Sequence, residues 1–97
     1  MLKIEGLKTA FLNVRGQAYQ NDAGQYGFIM VEALGGFDQG SGKEKIDAYS
    51  LALKIRDADS IELEKADIAL IKKAIDAMKL PAHIYAQLMA KLEEPTQ

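Results

Sequence analysis

The apolar residues that follow position 43 recur at helical spacing, and this periodicity constrains the fold more than any other feature of the chain. Apolar side chains spaced three and four residues apart give a helix one face that packs against a core. The pattern predicts three helices, over residues 43–57, 64–79 and 82–93. The apolar positions that define them are Ile46, Tyr49, Ala52 and Leu53, flanked by Leu51 and Ile55; Ile68, Ile71, Ile75 and Met78; and Ile84, Tyr85, Leu88, Met89 and Leu92.

The first 24 residues lack this periodicity and predict an extended, irregular segment. Phe11, Leu12 and Val14 favour strand structure. The sequence from Asn21 to Gly24 favours a turn, because Asn, Asp and Gly tolerate left-handed backbone angles.

Residues 25–34 fit two structures. Local propensity favours a strand that forms a hairpin with residues 11–19. However, Tyr26, Met30 and Leu34 lie at helical spacing, with Ala33 beside them. The apolar run is too short for periodicity alone to decide between strand and helix.

Residues 35–42 predict a loop, because four of these eight positions are glycine. The loop separates a mixed N-terminal part from a helical part, residues 43–94. Neither part is large enough to fold well alone, so we interpret residues 1–97 as a single small domain. Within the second part, residues 60–63 predict a short extended link that can form one strand.

No motif for catalysis or cofactor binding has the residues that it requires. Gly40 to Lys43 is similar to the end of a phosphate-binding loop, but Phe37 replaces its first glycine and Glu44 its magnesium-binding hydroxyl. Residues 57–59 begin like a calcium loop but lack its later acidic and glycine positions. His83 is the only histidine and cysteine is absent, so a metal site or catalytic base lacks partners. We therefore predict no catalytic residue, no cofactor and no metal ion.

The distribution of charge argues against a nucleic-acid partner. Residues 1–58 are neutral, and residues 59–97 account for the net charge of −2, so no basic stripe faces a phosphate backbone. The longest apolar runs are four residues, far below the ~20 that span a bilayer. With no apolar stretch at the N-terminus that would serve as a signal peptide, we expect a cytoplasmic location.

The final helix carries the widest apolar stripe. Most of this stripe is expected to lie in the core, and a chain this small with so broad an apolar final helix often completes its burial by binding a partner or by self-association into a homo-oligomer. The candidate protein-interaction surface is therefore Ile84, Tyr85, Leu88, Met89 and Leu92.

Three segments of the chain resemble small proteins encoded by tailed bacteriophages and prophages. They are Tyr49-Ser50-Leu51-Ala52-Leu53-Lys54-Ile55, Asp67-Ile68-Ala69-Leu70-Ile71-Lys72-Lys73 and Pro81-Ala82-His83-Ile84-Tyr85-Ala86-Gln87-Leu88. This chain departs from the family at Ala82 and Ala86, where those proteins carry a proline and a glycine. No activity is assigned to these proteins, so the resemblance implies a context, a phage or prophage product in the bacterial cytoplasm. It also implies that a helix begins at Tyr26-Gly27.

The patterns and the resemblance together predict a mainly α fold of the α+β kind. We expect about four short helices, over residues 26–34, 43–57, 64–79 and 82–93, in a small bundle with an N-terminal extended segment or β-hairpin. We expect a non-enzymatic phage accessory protein that acts by protein–protein contact, as an assembly factor or a modulator of a host machine. The alternative is a small regulator that binds nucleic acid through the helix pair 64–93, with His83, Gln87 and Lys91 as its polar contacts.

Overall fold

The computed structural model describes residues 2–93, which form four helices and a two-stranded antiparallel sheet. The predicted mainly helical α+β fold is confirmed. In chain order the elements are β1 (Leu2–Ile4), a 3-10 turn (Asp22–Gly24), α1 (Tyr26–Gly35), α2 (Gly42–Ile55), β2 (Ile61–Leu63), α3 (Lys65–Asp76) and α4 (Ala82–Glu93).

The sheet joins the start of the chain to the link between α2 and α3. β1 pairs antiparallel with β2, and Ile4 lies opposite Ile61 at one end of the ladder. Alternate side chains of a strand point to opposite faces, and here Ile4, Ile61 and Leu63 are buried while Lys3 and Glu62 face solvent. The strand predicted in residues 60–63 is confirmed, and it is the partner of the N-terminal strand.

The ambiguous segment forms helix α1 from Tyr26 to Gly35, so the strand that local propensity favours in a hairpin with residues 11–19 is wrong. α1 buries Gly27, Met30, Ala33 and Leu34 on one face. Gly27 starts this helix against the N-terminal segment, with its N–H donating to the Leu7 carbonyl oxygen at 2.7 Å. A Cβ at position 27 would lie 3.1 Å from that oxygen, so a glycine permits the approach.

The glycine-rich loop is anchored and is not a free linker. Phe37 enters the core from the middle of the loop and is 7% exposed. Ser41 then caps α2: its Oγ accepts from the Glu44 N–H at 3.2 Å, and the Glu44 carboxylate accepts from the Ser41 N–H at 3.2 Å. This reciprocal capping box satisfies two backbone donors that the helix itself leaves unpaired. Residues on both sides of the loop share one hydrophobic core.

Helix α3 packs against the other three helices. It buries Ile68, Ile71 and Ile75, as their spacing predicts, and it ends at Asp76, three residues before the predicted end. The Lys73 ammonium donates to the Glu44 carboxylate at 2.8 Å and so links α3 to the start of α2. This exposed ion pair adds a polar contact between the two helices, while burial of Ala48, Leu51, Ala52 and Ile55 determines which side of α2 faces the core.

Candidate protein-interaction surface

The stripe of the final helix does not form the predicted surface. Ile84, Leu88 and Leu92 are 9%, 0% and 1% exposed, and they lie in the core. Met89 is half-buried against that core, and Tyr85 reaches the surface, where its hydroxyl donates a hydrogen bond to Asp76. Burial of these three residues agrees with the expectation that most of the stripe lies in the core, and it removes them from the candidate surface, because α4 covers the core.

An exposed apolar stripe lies instead on α2. Ile46, Tyr49 and Leu53 are 69%, 60% and 45% exposed, and we call these three side chains the α2 stripe. They occupy positions i, i+3 and i+7, so they lie on one side of the helix over about 10 Å of its length. The sequence pattern placed these three residues on one apolar face with Ala52; in the fold Ala52 is buried and the other three are exposed.

The face of α2 that does pack on the core consists of Ala48, Leu51, Ala52 and Ile55. Two of these buried residues, Ala48 and Ala52, are alanines, and small side chains on a packed face permit a short distance between helix axes. Because α2 is apolar on both sides, periodicity finds a helix but does not tell which side is buried. The missed signal was the alanine pair Ala48 and Ala52, which is typical of a tight helix–helix contact.

Positive charges flank the α2 stripe on both edges. On a helical projection, Lys45 and Arg56 lie along one edge, and Lys43 and Lys54 lie along the other. Lys43 pairs with Asp47 at 3.0 Å, and Arg56 pairs with Asp57 at 3.5 Å. Within residues 2–93, Lys45 and Lys54 make no ion pair and no side-chain hydrogen bond.

The Arg56 edge continues into a shallow groove at the end of α2. The groove has a volume of about 410 Å³, and Lys8, Phe28 and Arg56 are among the residues that line it. Phe28 projects from α1 and is 42% exposed. Asp57 lines the same groove, so past the C-terminal end of the helix the exposed apolar surface continues beside charges of both signs.

The polar residues of α4 hold the N-terminal segment in place. The Gln87 side-chain amide donates to the Leu12 carbonyl at 2.8 Å and accepts from the Leu12 N–H at 2.9 Å, like a neighbouring strand. The His83 Nε2 lies 2.7 Å from the Tyr19 hydroxyl oxygen. The Lys91 ammonium lies 5.3 Å from the centre of an aromatic ring on α1. The three polar side chains of the nucleic-acid alternative are therefore occupied in contacts within the chain.

Two titratable groups near these surfaces are shifted by their neighbours. The Lys73 ammonium, helped by the Ser41 N–H, holds the pKa of the Glu44 carboxyl below its ordinary value. The hydrogen bond to Asp76 raises the pKa of the Tyr85 hydroxyl above its ordinary value. Both groups tie one helix to another, so their shifts report structural contacts.

In the described part of the chain, no group of three or more His, Asp or Glu side chains is placed to hold a metal ion. Over the same residues, none of the helices is long and apolar enough to cross a membrane. No protein-family model, no curated protein and no solved structure matches this chain.

Proposed function

We propose that the protein is a non-enzymatic accessory protein that binds another protein through the α2 stripe. The observation that carries this proposal is the exposure of Ile46, Tyr49 and Leu53 on one side of one helix. Single exposed apolar residues are common on protein surfaces, whereas a contiguous row is typical of an interaction site. Helices that dock into a groove of a partner use anchors at i, i+3 or i+4, and i+7, and the α2 stripe has this spacing.

The free energy available from burying the α2 stripe corresponds to a weak contact. Complete burial of a large apolar side chain stabilises by about 1.5–3 kcal/mol. Scaled by the exposed fractions, the three side chains supply roughly 3–5 kcal/mol before the costs of association. This gain corresponds to a weak contact alone, so additional polar contacts or the groove beside Phe28 complete a stable interface.

The resemblance to phage and prophage proteins supplies the proposed setting. In that setting the protein works in the bacterial cytoplasm, as an assembly factor or as a modulator of a host machine. Both tasks require a surface that recognises one protein, and neither requires a reactive side chain.

Photo-crosslinking in producing cells tests the proposal. A photoreactive phenylalanine analogue at position 49 should yield one protein adduct, because Tyr49 is the centre of the α2 stripe. The same analogue at Tyr85, which is exposed on α4, is the matched control and should yield no such adduct. Adding Ile46→Ser and Leu53→Ser should abolish the adduct from position 49. Equal adducts from both positions would contradict the proposal, and adducts to nucleic acid would favour the regulator.

A further inference from the structure

We infer that the partner is a different protein, with an apolar groove bordered by acidic side chains, and that it is not a second copy of this chain. The inference rests on the proposed function and specifies the chemistry of the partner. Two observations carry it: the convex α2 stripe, and the four cations that flank it.

Two positive charges beside the α2 stripe are left unpaired. Lys45 and Lys54 lie on opposite edges of the α2 stripe, and within the described chain neither has an acidic partner. Lys43 and Arg56 have only exposed acidic neighbours on the same stretch of chain. A bound surface that carries carboxylates opposite these edges gains attraction on both sides of the stripe.

The same flanking charges oppose self-association of the chain through the α2 stripe. A two-fold antiparallel pair of α2 helices would place Tyr49 against its own copy and Ile46 against Leu53. In that pair, Lys45 faces Arg56 of the other copy, and Lys43 faces Lys54. A parallel pair also brings cations together, with Lys43 beside Lys45 and Lys54 beside Arg56. Asp47 and Asp57 offset part of the charge of Lys43 and Arg56. Lys45 and Lys54 keep an excess of positive charge on both edges, so like charges oppose burial of the stripe against itself in either orientation.

The narrow width of the α2 stripe favours a protein groove over an anionic membrane surface as the partner. A helix that lies in a membrane interface presents a wide apolar face with a low net hydrophobicity. Here α2 buries its other apolar face in the core, and three side chains remain. A narrow row of three anchors fits a groove better than it fits a lipid surface.

Mixing the protein with a charge-reversed copy of itself tests the inference. The probe is the full chain with Lys43→Glu, Lys45→Glu, Lys54→Glu and Arg56→Glu, which presents the same apolar stripe with acidic edges. Analytical ultracentrifugation should show that each protein alone is monomeric and that the mixture forms a 1:1 complex. The affinity of the mixture should fall about tenfold between low and high salt, because exposed charges are screened. Ile46→Ser with Leu53→Ser in the unmodified protein should abolish the complex.

A milder variant keeps the test decisive if the probe does not fold, as circular dichroism would show. This variant carries only Lys45→Glu and Lys54→Glu. In the antiparallel pair, the carboxylate introduced at position 45 faces Arg56 of the other copy, and the one introduced at position 54 faces Lys43. This variant should self-associate, and the unmodified protein should not.

Three results would overturn the inference. The first is dimerisation of the unmodified protein through the α2 stripe. The second is association in the mixture that is no tighter than the self-association of either component alone. The third is binding of the protein to vesicles of anionic phospholipid that is lost on Lys45→Glu with Lys54→Glu. Failure of the proposed function looks different, since position 49 then captures no protein although the mixture associates. If position 49 captures a protein equally well with and without those two substitutions, the proposed function stands and the charge inference fails.

Discussion

Two leucines of α2 can test which side of this helix faces the core. Leu51 is 6% exposed and Leu53 is 45% exposed, although they are separated by one residue. Replacing either by alanine removes the same atoms and changes helix propensity very little. Any difference between Leu51→Ala and Leu53→Ala therefore reports burial.

The expected magnitudes follow from that burial. At Leu51 the substitution removes buried apolar atoms and leaves a cavity, which together cost about 2–5 kcal/mol. At Leu53 nearly half of the side chain already contacts water, and its loss leaves no enclosed cavity. We expect a cost of about 0.5–1 kcal/mol there. For a domain of this size, 1 kcal/mol corresponds to roughly 4–8 °C in Tm, so the two variants should be clearly separated.

Equilibrium unfolding in urea, followed by circular dichroism, measures both costs. A shift in the midpoint with an unchanged slope reports stability, whereas a changed slope reports a different folded or unfolded state. Equal costs for the two variants, or a larger cost for Leu53→Ala, would refute the rotation of α2 described here. In that case Leu53 would belong to the core, and the α2 stripe would not exist.

Three further predictions concern the contacts that hold the fold. Gln87→Ala should cost roughly 1–2 kcal/mol in unfolding free energy and speed hydrogen exchange of the Leu12 amide, because both backbone groups of Leu12 lose their partner; unchanged exchange would contradict this. Glu44→Gln should lower stability at neutral pH and leave a flatter pH profile. The Lys73 ammonium lowers the folded pKa of Glu44 below its ordinary value, so the contribution of the carboxylate is present above the ordinary pKa and is lost as pH falls through the folded pKa; parallel acid-unfolding curves would contradict this. Gly40→Ala should cost about 1–3 kcal/mol, since a Cβ there would lie 2.7 Å from the Phe37 ring; a Tm equal to that of the unmodified protein would show that the loop relaxes freely.

The helices were the part of the fold that sequence reasoning could predict. Strong periodicity placed α3 and α4 well, because Ile68, Ile71 and Ile75, and then Ile84 and Leu88, lie on single apolar faces. The ends were predicted less well, since α3 stops at Asp76 without a proline or glycine to mark it.

The pairing of the N-terminal strand was not predictable from local pattern. β1 finds its partner in residues 61–63, more than fifty residues away, and a three-residue strand carries almost no periodic signal. The loop predicted at residues 35–42 is present between α1 and α2, but its anchoring was not predictable for a related reason. Its glycines suggest freedom, but Phe37 in the core and the close packing of Gly40 show that one apolar residue and one tight contact anchor it.

The candidate surface required the structure because the sequence offers too many apolar residues for one core. Both α2 and α4 carry apolar stripes wide enough to face a partner, and the sequence pattern favoured α4 as the candidate surface. In the folded chain the core needs all of α4's aliphatic stripe, Ile84, Leu88 and Leu92. On α2 it buries only one side, which consists of Ala48, Leu51, Ala52 and Ile55.

The side of α2 that does not pack against the core gives the strongest indication of function. Large apolar side chains at Ile46, Tyr49 and Leu53 contribute little to folding, because about half or more of each contacts water. Cations on both edges would then oppose the simplest way to cover them, which is contact with another copy. A row of apolar side chains that contributes little to folding, bordered by charges that disfavour self-association, is the arrangement that the proposed acidic partner would require. The affinity for that partner should therefore depend on the stripe and on salt together, and the loss of either dependence would separate the apolar from the electrostatic part of recognition.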